Sequence, residues 1–181
     1  MKEKDWIKFK TISEEKFKTE TLQECWGFQI QKGTKWNDGL TVSDIKELEN
    51  HFGFKFPNDY FEMLKAFNGF ETLQISIDPD GKNPDEFDRR CYKYPIDLEK
   101  TKWLIDEVNE NIKYATECLR QSGFDSTEIE GFVPLYGHRV LVVLKDKTKT
   151  PVISICGSDI IIYGKSLIEY WCHELYIEFK N

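Results

Sequence analysis

From Phe132 onward the apolar residues of this chain take the spacing of strands, and that change limits what the chain can fold into. Between Thr41 and Leu119 they recur mainly at intervals of three and four, the repeat of helices that bury one face. From Phe132 onward they gather into short β-rich runs, Phe132 to Leu135, Val140 to Leu144, Val152 to Ile155 and Ile160 to Tyr163, divided by turn residues. Runs this close together leave room only for tight turns, which predicts an antiparallel meander. Helices first and a sheet afterwards make an α+β domain and not a βαβ repeat.

Local signals place the helices. Thr41-Val-Ser-Asp44 opens one, because a hydroxyl at the cap and an acid three residues on satisfy orphan backbone donors; Ser43 is the alternative cap. Ile45, Leu48 and Phe52 form its buried stripe, and Gly53 suits the left-handed residue that ends it. Pro57 sits well at the first position of a second helix, with Phe61, Leu64 and Phe67 or Met63 inward and Asn68-Gly69 as its stop. A strand is expected over Thr72 to Ile77 and a loop over Asp78 to Asp88, where Pro79, Gly81 and Pro84 stand among acids. After Tyr94-Pro95-Ile96-Asp97 the longest helix carries a seam of Ile105, Val108, Ile112, Ala115 and Leu119, closed by Gly123. Ser166-Leu-Ile-Glu169 is a capping box for a last helix with Leu167, Ile168, Trp171, Cys172 and Leu175 inward. The first forty residues mix Trp6, Phe9, Phe17, Trp26, Phe28 and Trp36 with charges, and read as a helical or irregular segment ending in a strand near Phe28 to Ile30.

The chain has 181 residues, enough for one well-buried core and cramped for two. With 40% hydrophobic and 31% charged residues it has both a core and a soluble surface. A net charge of −7 argues against general nucleic-acid binding, which needs clustered Lys and Arg; a basic partner fits better, although solubility alone also explains the charge. The five cysteines form no C-x-x-C pair and are odd in number, as expected for reduced thiols in the cytoplasm. The N-terminal Met-Lys-Glu-Lys-Asp lacks an apolar signal core, and no apolar run reaches the ~20 residues of a membrane helix, so no membrane association is expected.

No reaction announces itself. The chain lacks G-x-S-x-G, G-x-G-x-x-G, a P-loop and H-E-x-x-H, and Gly157-Ser158-Asp159 resembles a turn more than a nucleophile elbow. His51 fits a surface place at a helix C-terminus. Cys172, His173 and Glu174 are adjacent, so on a helix they point apart and do not suit one metal ion. Asp78, Asp80 and Asp85 miss the spacing of an EF-hand loop. The best polar constellation is Gly137-His138-Arg139, which a meander brings near Ser154, Asp159 and Tyr163. It reads either as a turn with an Arg–Asp pair and a backbone-bonded histidine, or as a patch of His138, Arg139, Asp159 and Tyr163 where a protein partner docks.

The order of several short motifs resembles the SUKH superfamily, which includes the fungal cell-wall assembly regulators. Thr41-Val-Ser-Asp-Ile-Lys-Glu-Leu-Glu49, Phe52-Gly53, Phe56-Pro57-Asn-Asp-Tyr60, Leu64 and Asn68-Gly69 are similar to its opening signature. Gly33-Thr-Lys-Trp36-Asn37-Asp-Gly39, Tyr94-Pro95-Ile-Asp97-Leu98, Pro134-Leu-Tyr-Gly-His-Arg139, and Pro151 through Gly157 to Tyr163 followed by Ser166-Leu167-x-x-Tyr170 resemble a bacterial-type branch. Cys156 departs from it where an aromatic is expected. The resemblance covers about residues 33 to 176, with Trp36, Glu49, Pro57, Asn68 and Gly69 as motif positions, and implies a SUKH-like domain over 33–181 with an N-terminal segment, 1–32, packed on it. It further implies a small curved, mostly antiparallel sheet packed with helices, with no catalytic residues and no cofactor. The expected function is that of an immunity protein that binds a bacterial polymorphic toxin domain; the alternative is an intracellular regulatory scaffold of the cell-wall assembly regulator type.

Overall fold

In the computed structural model, which describes residues 1–20, 27–72, 74–77, 84–88 and 91–180, the chain begins with helix α1, Glu3–Phe17. The Asp5 carboxylate accepts the Lys2 N–H at 2.9 Å, and Trp6, Phe9, Ser13 and Phe17 make one buried stripe at helical spacing. Strands β1, Gly27–Gln29, and β2, Trp36–Asp38, follow.

Helix α2, Val42–Phe52, starts as its sequence predicts: the Asp44 N–H donates to Thr41 Oγ1 and Asp44 Oδ2 accepts the Thr41 N–H, each at 3.2 Å. Thr41 is therefore the cap and not Ser43. Gly53 ends the helix at φ 82°. Helix α3, Asn58–Ala66, takes Pro57 as its cap, one residue earlier than the expected first helical position. Its buried residues are Tyr60, Met63, Leu64 and Ala66, while Phe61 is only half-buried.

Asn68-Gly69 does not simply stop α3. Phe67 is already extended at φ −162°, and Phe67–Phe70 forms strand β3 against β2. Strands β4, Gln74–Ile77, and β5, Pro84–Asp88, follow, and β1, β4 and β5 form an antiparallel sheet in the order β1-β4-β5. The expected loop over Asp78 to Asp88 thus contains a strand at its end, where Pro84 takes the first position that a residue without an N–H tolerates. Asp78 and Asp80 lie outside the described residues.

The long helix is two. Helix α4, Leu98–Glu110, and helix α5, Ile112–Gln121, meet at Asn111, whose φ −105°, ψ 19° leaves helical geometry. The Asn111 side chain donates to the Glu107 carbonyl at 3.0 Å, a local bond that competes with the helix ladder. The break shifts the helical phase: Leu104, Val108, Ala115 and Leu119 are fully buried, Ile105 is half-buried, and Ile112 leaves the expected seam with 38% exposure.

Strands β6 (Ile129–Tyr136), β7 (Arg139–Leu144), β8 (Val152–Cys156) and β9 (Asp159–Gly164) form the expected antiparallel meander in chain order. Helix α6, Leu167–Glu174, starts at Ser166, whose hydroxyl accepts the Glu169 N–H at 3.3 Å. It buries Leu167, Tyr170 and Trp171, with Ile168 and Cys172 half-buried. Rings of α6 lie on Tyr163 and Cys118 of α5 reaches the Ile162 backbone, so both helices pack against β9. Every residue from Val140 to Leu144 is buried without alternation, the pattern of an inner strand enclosed on both faces.

Trp36 sits where the layers meet. Its ring centroid lies 4.2 Å from that of Phe67, 4.3 Å from Phe70 and 5.3 Å from Trp171, and Nε1 donates to Ser13 Oγ of α1 at 2.7 Å. The Glu14 carboxylate accepts the Trp36 N–H at 3.1 Å. Helix α1 is thereby part of the core, with Trp6 and Phe9 against Phe67 and Phe17 against Phe70.

Candidate functional site

Arg139 opens β7 just after a two-residue turn in which Gly137 adopts φ 53°. Pairing with β8 puts it opposite Ser154, and one guanidinium nitrogen donates to Ser154 Oγ at 2.8 Å. The guanidinium lies 3.8 Å from the centroid of the Tyr163 ring, and the His173 imidazole stacks on that ring at 4.6 Å with 16° between planes. Arg139 Nε stands 3.4 Å from Glu174 Oε2, with both side chains 14% exposed. The Tyr170 hydroxyl is buried beside them, and these polar atoms meet through charge more than through well-aligned hydrogen bonds. Burial pushes the Glu174 carboxyl above the usual glutamate range, while the charges of Arg139 and His173 pull it back.

Two of the four patch residues, Arg139 and Tyr163, are thus in contact. The expected Arg–Asp pair is corrected: the carboxylate facing Arg139 is Glu174 of α6, while Asp159 stands opposite Cys156 at the tip of the β8–β9 hairpin and is exposed. His138 is exposed in the turn, and its carbonyl accepts the Ile155 N–H at 3.1 Å. Glu174 escaped the sequence reading because it was weighed only beside Cys172 and His173, whereas its partner lies on a strand. Those three neighbours do point apart: Cys172 is half-buried, His173 lies on Tyr163 and Glu174 turns to Arg139. Gly157-Ser158 is the hairpin turn, with Gly157 at φ 56°.

The motif residues around α2 and α3 do architectural work. Glu49 is buried; Oε1 accepts the Phe56 N–H at 2.9 Å and Oε2 accepts from Lys55 Nζ at 2.7 Å, which fixes the approach to Pro57. Asn68 bonds the backbone of Tyr94 from inside β3. Gly69, at φ 72°, lets Lys93 approach so closely that a Cβ would stand 3.0 Å from the Lys93 Cβ. Together these contacts tie the helix pair to the segment that leads into α4.

The family description "SMI1-KNR4 cell-wall" (SUKH_6) belongs to a family model that matches residues 43–175. The chain belongs to the SUKH superfamily. No curated protein matches it closely enough to report. The SUKH match begins inside α2, so α1 and Trp36 precede it although they share its core.

A further feature of the SUKH domain had no signal in the sequence. A groove of about 570 Å³ runs between the end of α2, α4, the start of α5 and β6, with Phe52, Phe54, Ile105, Ile112 and Phe132 on its walls and His51 at its rim. It is shaped by Gly131, where an added Cβ would fall 2.0 Å from the Phe54 ring. Among the described residues no cluster of three or more His, Cys, Asp or Glu is disposed to hold a metal ion, and Cys118, Cys156 and Cys172 are free thiols. No helix among these residues is long and apolar enough to cross a membrane.

Proposed function

We propose that this chain acts without catalysis in the cytoplasm, as an immunity protein that binds and neutralises a bacterial polymorphic toxin domain. The observation that carries the reading is the SUKH match over residues 43–175. The arrangement of polar groups supports it. Arg139 meets both Ser154 and Glu174, while Glu49 and Asn68 bond backbone, so these side chains serve to hold neighbouring elements together.

The test is co-expression of this chain with the product of an adjoining toxin reading frame. Protection of the host, with a complex that survives gel filtration, is the expected result; unprotected cells and no complex would sink the reading. A regulatory scaffold is the second reading, favoured by the cell-wall description of the matched family. It predicts a stable intracellular partner with no toxic activity.

A further inference from the structure

We infer that the outer face of α4 is the docking surface, and that it takes a basic protein surface that places an arginine or lysine on Trp103. The inference rests on the protein-binding reading above and names the face and the partner's chemistry.

Helix α4 buries Thr101, Leu104 and Val108. The residues three, four and seven positions apart on its other side are Glu99, Trp103, Asp106 and Glu110, which therefore form one continuous stripe. Trp103 is 48% exposed in the middle of it, and Ile96, in the turn that precedes the helix, is 67% exposed. All three acids are exposed, and Asp106 and Glu110 take part in no ion pair among the described residues. Lys102 on one margin pairs with Glu99 at 2.6 Å. On the other margin Glu107 Oε1 accepts the Gly157 N–H at 2.8 Å, which holds the β8–β9 turn, with exposed Asp159, beside the helix.

An exposed tryptophan in line with three carboxylates, with Lys100 and Lys102 on its flanks, has the anatomy of a binding hot spot, an aromatic centre with a charged rim. The rim selects the occupant. A second copy of the chain would set these carboxylates against their own kind, and a nucleic acid or an anionic membrane would be repelled. A cationic protein surface is drawn in by the rim, and its central Arg or Lys gains further from the face of the indole.

The probe is a helical peptide with arginine at every third or fourth position, compared with its glutamate counterpart, and binding is mapped by amide and indole NMR shifts. The expected shifts centre on the Trp103 indole and on α4, occur with the arginine peptide only, and weaken about tenfold or more between roughly 0.03 M and 0.3 M salt as screening shortens. Trp103→Ala and the double change Asp106→Lys, Glu110→Lys each lower affinity by about tenfold or more, as for a hot-spot aromatic and its rim. Both variants alter exposed positions, and unchanged thermal melts establish that they fold. Shifts centred elsewhere, equal binding of the glutamate peptide, or variants that bind like the wild type overturn the assignment. The same variants in the co-expression assay separate the two claims. Wild-type protection lost in both variants supports this face, and protection kept in both overturns the face while leaving the immunity reading intact. Absence of wild-type protection sinks the immunity reading, and the peptide map then decides the face alone.

Discussion

Asn68 holds Tyr94 by both ends of its side-chain amide: Nδ2 donates to the Tyr94 carbonyl at 2.5 Å, and the Tyr94 N–H donates to Oδ1 at 3.0 Å. Both residues are buried, so a strand of one sheet carries the missing hydrogen-bond partners for a segment outside any sheet. Asn68→Ala leaves a donor and an acceptor without partners and is expected to cost about 3 kcal/mol. Asn68→Asp keeps only the acceptor and faces a carboxylate toward a carbonyl, so it is expected to cost at least as much. Urea unfolding midpoints check both, and an unchanged midpoint in either contradicts the assigned role.

Two glycines separate crowding from backbone strain. A Cβ on Gly39 would lie 1.8 Å from the Lys65 carbonyl oxygen, which is backbone and cannot turn aside. Gly53 has open space around its missing Cβ but sits at φ 82°. Gly53→Ala is expected to cost about 1 kcal/mol, the ordinary cost of a left-handed alanine, and Gly39→Ala several times as much. Thermal melts of the two variants should therefore differ clearly, with Gly39→Ala the lower.

Glu174 makes stability depend on pH. Its carboxyl is raised by burial, so the folded chain keeps a proton that the unfolded chain releases. Stability from this group is full below the ordinary glutamate value of about 4.3 and is lost as pH rises through the raised folded value. Glu174→Gln cannot ionise, so the stability difference between variant and wild type should move in favour of the variant as pH rises from about 4 toward 7. Parallel pH profiles of the two unfolding midpoints would show that Glu174 is not desolvated as described.

Helix α1 should be indispensable. Trp6, Phe9 and Phe17 are fully buried, and each contributes about 1.5–3 kcal/mol against a typical total stability of only about 5–15. A chain that begins at residue 33 also leaves the Trp36 indole N–H without Ser13. It is expected to show no cooperative melt by circular dichroism. A sharp transition near that of the full chain would mean that residues 1–32 are dispensable.

Most of the frame could be read from the chain because its signals are local. Thr41 and Asp44, Gly53, and Ser166 and Glu169 act within one helical turn, and the β-branched runs of the meander are separated by turns only a few residues long. What escaped depends on distance or phase. The break at Asn111 is hidden because the apolar spacing continues across it, and only the Asn side chain bonding Glu107 signals a stop. Strand β3 hides behind Asn68-Gly69, which resembles a helix terminus until the bond from Asn68 to Tyr94 is seen. Glu174 and Arg139 are brought together by α6 lying on β9, a placement no spacing rule contains. Trp103 belongs to the same class, since its exposure follows from which side of α4 faces the sheet.

The central claim is that this SUKH chain works by holding another protein. The decisive measurement is isothermal titration of the purified full chain, and of Trp103→Ala, with the purified product of a toxin reading frame adjoining its gene. Saturable one-to-one binding at sub-micromolar concentration is expected, weakened about tenfold or more in the variant, the change that follows when a central aromatic is removed. The absence of any binding heat by the wild type, together with no shift of either protein on gel filtration, would contradict it.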